Sequence, residues 1–125
     1  MSAFKTYYLD VMFRQYADFS GRARRSEFWY FYLFYWLVGL ASIPFLFRMS
    51  GLSWIMGLIL IRLIHLVPLL SISTRRLHDI NKSSWNLLWI LIPGIGKLIM
   101  LLFFIQEGDY GYNQYGPDPK IIDNY

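Results

Sequence analysis

The fold is decided by residues 28–47, which read FWYFYLFYWLVGLASIPFLF and contain no charged side chain. At about 1.5 Å per residue, a helix of this length covers the roughly 30 Å hydrocarbon core of a bilayer. Eight of its first nine residues are aromatic, and Tyr and Trp favour the membrane–water interface. The stretch therefore predicts a first membrane-spanning helix with an aromatic belt at one end.

Two further apolar segments follow this first span. The second, residues 52–74, comes after the polar break 48–51, whose length suits a tight turn between antiparallel helices. The third, residues 85–105, carries Pro93 and two glycines near its middle. We expect it to cross the membrane as a kinked helix. The alternative is a re-entrant hairpin, whose arms of about nine residues would each be too short to cross.

The overall composition fits a protein whose solvent is partly lipid. Hydrophobic residues make up 56% of the 125-residue chain and charged residues 16%, against about 45–50% and about 25% in a typical soluble domain. This length predicts a single membrane domain, 1–125. The net charge of +4 could suit nucleic acid, but the basic residues flank the apolar runs. That placement favours membrane lipid, in particular anionic lipid, as the partner.

The N-terminal segment, residues 1–27, is polar and aromatic. Phe4, Tyr8 and Val11 recur at helical spacing, which predicts an amphipathic helix over roughly 3–17 lying at the membrane interface. The alternative is the same helix packed on the body of the protein. The all-α fold expected is thus three transmembrane helices preceded by an interfacial helix.

The distribution of positive charge predicts the orientation. Five basic residues precede the first span and three lie in the second loop, whereas the first loop and the tail have one each. With three spans, eight fall on one side and two on the other, and positive charge marks the cytoplasmic side. We therefore expect a cytoplasmic N-terminus. The polar tail 106–125, with little regular structure, would be external, or cytoplasmic if the third segment re-enters.

Residue types that carry catalysis or bind metals are scarce. The absence of cysteine excludes disulfides, thiol catalysis and cysteine-based zinc sites, and two histidines leave no convincing zinc set. The tail, with Asp109 and Asp118, resembles a calcium loop only faintly because it lacks the bidentate glutamate. No phosphate-binding loop or nucleophile–base pattern is present. We expect no catalytic activity, no cofactor and no metal ion.

Three ionisable side chains are predicted to lie inside the spans: Arg62, His65 and Lys97. A cation near mid-membrane costs at least ~2.5–3.5 kcal/mol, and no span contains Asp or Glu. Partners must then be carbonyls, tyrosine hydroxyls, water or a bound anion. These residues predict structural contacts inside the bundle or, alternatively, an anion or proton pathway, which so small a chain could enclose only as an oligomer.

A second set of basic residues is predicted on the cytoplasmic face. Arginine guanidinium groups match phosphate oxygens, and Glu27 and Asp79 are expected to neutralise part of the charge. The set predicts binding of anionic lipid headgroups, with charge that only sets the orientation as the simpler interpretation. Its members are Arg22, Arg24, Arg25, Arg75, Arg76, His78 and Lys82.

Four motifs resemble a known family. They are FSGRARRSEFW at 19–29, RRLHD at 75–79 followed by Trp85, LIPGIG at 91–96, and a tail pattern over 107–119. Together they cover nearly the whole chain in order, and the sequence resembles the bacterial membrane family called domain of unknown function 805. The resemblance implies a multi-pass protein of the bacterial inner membrane with no established activity. It supplies no catalytic residues.

The function expected is that of a small multi-pass inner-membrane protein without catalytic activity, which binds anionic lipid or a membrane-protein partner. The alternative is an oligomeric small transporter or channel subunit that uses Arg62, His65 and Lys97. Charged residues within the spans are not part of the family pattern, so Arg62 and Lys97 are features of this sequence. Nucleic acid is not expected as a partner.

Overall fold

The structure, a computed structural model, describes residues 2–122, and this part of the chain is helical without a β-strand. The elements in chain order are the π-helix Lys5–Leu9, α1 (Asp10–Phe13), α2 (Arg25–Phe47), α3 (Leu52–Asp79), the 3-10 helix Ser84–Leu91, α4 (Ile95–Ile105) and α5 (Pro119–Ile122). The expected all-α class is confirmed.

α2 and α3 form an antiparallel pair joined by a tight turn at Gly51, which has a φ of 63°. Within residues 2–122 they are the two helices long and apolar enough to cross a membrane. Only 11% and 22% of their most apolar stretches are buried, so these helices face outward like lipid-exposed spans rather than inward like the core of a soluble protein. α3 continues beyond the predicted end at residue 74, because the polar residues 75–79 remain helical.

The third apolar segment is not a single helix. Its first arm is a 3-10 helix, and its second arm, α4, has 11 residues, which span about 16 Å. The chain turns between them at Gly94, whose φ of 75° suits glycine. The Gly96 amide donates to the Ile92 carbonyl at 3.0 Å. We call residues 84–105 the hairpin.

The hairpin begins and ends at one end of the helix pair. We call this the polar end, where α2 begins and α3 ends. The phenyl rings of Phe104 and Phe28 lie 4.2 Å apart, and the Trp29 indole donates to the Phe104 carbonyl at 3.3 Å. The segment therefore runs out and back, which is the path of the re-entrant alternative, and the kinked third crossing is not confirmed. A third spanning helix is not found in the described chain.

The N-terminal segment packs on the helix pair, which is the alternative to an interfacial helix that the sequence left open. Tyr8 and Val11 are buried, and the ring of Tyr7 stacks on that of Tyr30 in α2 at 4.8 Å. The helical turns are also shorter than the predicted 3–17. The aromatic stripe thus faces α2 and α3, and an interfacial helix is not confirmed.

The tail is more ordered than expected. Asn113 and Gly116 exchange two backbone hydrogen bonds of 3.1 Å, and α5 follows. The Asp109 amide donates to the Asp79 carbonyl at 2.7 Å. The tail therefore packs on the polar end, next to the end of α3.

Candidate functional site

Asp79 is the centre of a buried ion network at the polar end. Its Oδ1 lies 2.9 Å from Nη2 of Arg22, and its Oδ2 lies 2.6 Å from Nη1 of Arg76. The three side chains are at most 2% exposed. The spacing of Arg76 and Asp79 places them on one face of α3, whereas Arg22 comes from the segment before α2. One carboxylate therefore joins two parts of the chain that are far apart in sequence.

Backbone carbonyls accept the remaining guanidinium hydrogens. The acceptors of Arg76 are the carbonyls of Ala23, Phe104 and Gln106. The acceptors of Arg22 are those of Asp109, Gly111 and Gly116. Buried charges are stable when they are paired and hydrogen-bonded. The two arginines thus fasten the end of the hairpin and the tail to α3.

The tail approaches Asp79 too closely for a side chain at residue 108. A Cβ at Gly108 would overlap the Asp79 carboxylate. Further along, the rings of Tyr115 and His78 stack with centroids 3.9 Å apart. His78 Nδ1 lies 2.9 Å from the Gly21 carbonyl oxygen, which can only accept, so Nδ1 carries the proton. These contacts hold the tail against the polar end.

Asp118 organises the tail through backbone hydrogen bonds. Its carboxylate accepts backbone N–H groups of Gly111 and Lys120, each at 3.0 Å. Burial alone would raise its pKa, but these two hydrogen bonds and the positive charges of Lys120 and Arg22 lower the pKa below its ordinary value. The Asp118 side chain is therefore a carboxylate near neutral pH, and backbone N–H groups are its hydrogen-bond donors.

The structure divides the seven predicted headgroup-binding residues into two groups. The buried members are Arg22, Arg75, Arg76 and His78. The members with exposed or half-buried side chains are Arg24, Arg25 and Lys82. Arg22 and Arg76 direct their donors to protein groups, so they do not face outward to a headgroup. Arg75 donates Nη1 to the Gln15 side chain at 3.1 Å. For the second group, headgroup binding stays a prediction.

Within the second group, two cations already have neighbours. Arg24 pairs with Glu27 at 3.6 Å, and the Lys82 ammonium lies 5.3 Å from the centre of the Phe103 ring. Arg25 is exposed and donates to the Ile105 carbonyl at 3.4 Å. Its remaining donors lie at the surface.

Arg25 stands at a groove of about 440 Å³ on the outside of α2. The groove is lined by Arg25, Ser26, Trp29, Tyr30, Leu33 and Ile105. Arg25 and Ser26 are in the first turn of α2, and Leu33 is two turns further along. A cation and a hydroxyl therefore sit at one end of the groove, and aromatic and aliphatic walls continue from them along the helix.

Arg62 and His65 meet at Tyr35, roughly midway along α3. The Arg62 guanidinium donates to the Tyr35 hydroxyl and lies 4.9 and 5.0 Å from the ring centres of Tyr35 and Trp36. The imidazole of His65 packs against the Tyr35 ring at 5.3 Å and hydrogen-bonds the Tyr8 hydroxyl. These partners are tyrosine hydroxyls and rings, as expected where no carboxylate is available.

Lys97 lies elsewhere, and its exposed side chain lines a cavity of about 420 Å³ between α2, α3 and the hairpin. The walls are mainly apolar, and Tyr32 and Ser73 add hydroxyl groups. In residues 2–122 no acceptor engages the Lys97 ammonium. The three ionisable residues predicted inside the spans therefore occupy two places.

Comparison with known proteins places these features in a family. The family described as "Protein of unknown function (DUF805)" matches residues 16–117. The chain belongs to this family. Inner membrane protein YhaI of Escherichia coli K12 is 43% identical over 119 residues, covering 94% of this chain and 98% of that protein. Inner membrane protein YhaH of the same strain is 40% identical, covering 92% and 97%. No solved structure matches significantly.

The resemblance inferred from the motifs is confirmed, and the structure gives those motifs a physical role. The family match includes Arg22, the RRLHD motif and the tail contacts, which are the parts of the Asp79 network. Its relatives are inner membrane proteins, in keeping with the apolar helices of this member. Sequence reasoning placed Asp79 among the neutralising groups but missed the burial. The spacing of three positions between Arg76 and Asp79 was the feature of the sequence that could have indicated an ion pair on one face of α3.

Proposed function

We propose that this DUF805 member is a multi-pass inner-membrane protein that binds an anionic phospholipid in the groove beside Arg25, without catalysing a reaction. In this proposal α2 and α3 cross the bilayer, the hairpin re-enters, and the N-terminal segment, the 80–83 loop and the tail are cytoplasmic. The charge distribution supports this orientation. Nine basic residues lie on the proposed cytoplasmic side, against Arg48 alone in the loop between the helices. The nine are Lys5, Arg14, Arg22, Arg24, Arg25, Arg75, Arg76, Lys82 and Lys120.

The proposal rests on one observation, which is that Arg25 is exposed and lies at one end of an apolar groove. A phosphate diester can accept hydrogen bonds from the guanidinium and from the Ser26 hydroxyl, while an acyl chain lies along Tyr30 and Leu33. Trp29 and Tyr30 belong to an aromatic belt suited to headgroup depth. A basic residue near an anionic surface contributes about 1 kcal/mol, which favours an anionic over a zwitterionic lipid.

We expect Arg25→Gln to remove the preference for anionic lipid. Native mass spectrometry from gentle detergent would compare retained phosphatidylglycerol with retained phosphatidylcholine. The wild-type protein should prefer phosphatidylglycerol, and the preference should fall by about fivefold in the variant, since ~1 kcal/mol is lost. Leu33→Trp, which fills the groove and leaves the charge, should lower retention of both lipids.

The matched control is Arg48→Gln, which removes an exposed cation at the opposite end of α2. It should leave lipid retention unchanged. Equal loss in Arg25→Gln and Arg48→Gln, or equal retention of both lipids by wild type, would reject the groove.

The competing function, an oligomeric transporter or channel subunit, stays a prediction. It requires Arg62, His65 and Lys97 along one path, whereas Lys97 lines a cavity that the other two residues do not line. A membrane-protein partner is likewise a prediction.

A further inference from the structure

Lys97 lies in the first turn of α4, close to the turn of the hairpin, and its exposed side chain lines the cavity. Lys97 is eight positions before Ile105, the end of α4 that lies beside Arg25. At about 1.5 Å per residue the separation is about 12 Å. If Ile105 lies near the headgroups, as the proposed topology has it, Lys97 approaches the middle of a hydrocarbon core about 30 Å thick.

The direction of α4 determines which way the exposed Lys97 side chain extends. Long side chains on a helix lean toward its N-terminus, and the N-terminus of α4 is the tip of the hairpin. The Lys97 side chain is therefore directed away from the nearby headgroups. Its place in the first turn of α4 adds the positive end of the helix dipole to its own charge. Arg62 differs, because a tyrosine hydroxyl and two rings surround it.

The cavity around Lys97 has the character of a ligand site. Its volume of about 420 Å³ lies within the roughly 300–1,000 Å³ of small-molecule pockets, which combine apolar walls with a few polar groups. The hydroxyls of Tyr32 and Ser73 line the same space. Because an unpaired cation at this depth is unfavourable, an anion that reaches the cavity would be bound strongly.

The depth of the site selects the kind of anion. A phosphate diester stays ionised and would have to leave the headgroup layer, whereas a long-chain carboxylic acid enters the hydrocarbon core as the neutral acid. We infer that the cavity binds a long-chain carboxylic acid, with its head at Lys97 and its chain along the apolar walls. On binding, the carboxylic acid releases its proton to water, the carboxylate pairs with the Lys97 ammonium, and no other bond changes. The hydroxyls of Tyr32 and Ser73 donate to the carboxylate. This inference rests on the proposed re-entrant hairpin and is independent of the phospholipid groove.

The test uses the purified full chain in detergent with palmitic acid as the probe. Native mass spectrometry should show palmitate retained by wild type at about ten times the level in Lys97→Met, since a close ion pair is worth at least that factor. Methyl palmitate, which cannot form the ion pair, should not be retained. Leu101→Trp, which fills the cavity and keeps the lysine, should also lose palmitate, and thermal melts would verify that both variants fold.

Two further variants separate this site from the groove. Arg25→Gln should retain palmitate while it loses the preference for anionic phospholipid. The two proposals can therefore be rejected independently of each other. Equal retention of palmitate by wild type and Lys97→Met, or equal retention of methyl palmitate, would overturn the inference. The inference would also be overturned if the wild-type protein retained no palmitate and position 97 instead cross-linked to an acidic residue in a transmembrane helix of a partner protein.

Discussion

Asp79→Asn is expected to lower the free energy of unfolding by about 3–5 kcal/mol, because it leaves two buried guanidinium groups without their counter-charge. Asn keeps the shape of the side chain but removes the carboxylate that contacts Arg22 and Arg76 at 2.9 and 2.6 Å. Since both arginines also fasten the tail, amides of residues 106–118 should exchange hydrogen faster. Detergent-induced unfolding and hydrogen exchange would measure the two effects.

Asp10→Asn is the matched control for this change. Asp10 pairs with Arg14 at 3.5 Å, and the Arg14 side chain is 75% exposed. Ion pairs of this kind contribute about 0–1 kcal/mol, so the control should unfold almost as the wild type does. A similar small effect from both substitutions would show that the Asp79 network does not hold the polar end together.

Gly96→Ala is expected to destabilise the protein by about 1–3 kcal/mol, because the two arms of the hairpin have no room for a methyl group between them. A Cβ at residue 96 would overlap the Trp89 carbonyl oxygen, and it would lie 3.0 Å from the Trp89 carbonyl carbon and 3.3 Å from the Ile90 Cα. These are backbone atoms, so the arms must separate. The same unfolding measurement would detect the change, and the Lys97 cavity should bind its ligand less well.

Gly39→Ala provides the control in α2. A Cβ at Gly39 meets nothing within 4 Å, and alanine is the better helix former by about 1 kcal/mol. This variant should be as stable as wild type or slightly more stable. If Gly96→Ala is also as stable as wild type, the two arms of the hairpin do not pack as closely as described.

The two long apolar helices could be predicted from sequence because their signal is local. Residues 28–47 and 52–74 are long apolar runs with a polar break between them, and the observed helices contain both. The end of α3 was predicted too early, since RRLHD reads as a polar loop. In the structure those residues stay helical because Arg76 and Asp79 neutralise each other and find partners in other segments.

The path of the third segment could not be predicted, because the Pro-Gly pair allows both a kink and a turn. Contacts distant in sequence decide between them. Trp29 and Arg76 both donate to the Phe104 carbonyl, which brings the end of α4 to the polar end. The N-terminal helix is a similar case, since an aromatic stripe can face lipid as well as protein. Here it meets Tyr30 and His65.

Sequence reasoning found the basic residues of the candidate site but could not sort them by burial. Arg22 and Asp79 are 57 positions apart, and most acceptors of Arg22 are tail carbonyls, which every residue type has. Arg25, only three positions from Arg22, stays exposed at the groove. The charge pattern alone makes the two arginines look equivalent, and only packing distinguishes a structural cation from one available to lipid.

The proposed topology is tested most directly by labelling single cysteines in spheroplasts with an impermeant maleimide. The chain has no cysteine, so Ser2→Cys, Ser50→Cys and Gln114→Cys each introduce a unique thiol. A re-entrant hairpin with a cytoplasmic polar end predicts labelling of Ser50→Cys alone, with the other two labelled only after permeabilisation. Labelling of Gln114→Cys together with Ser50→Cys in intact spheroplasts would show that the third segment crosses the membrane and would contradict the account.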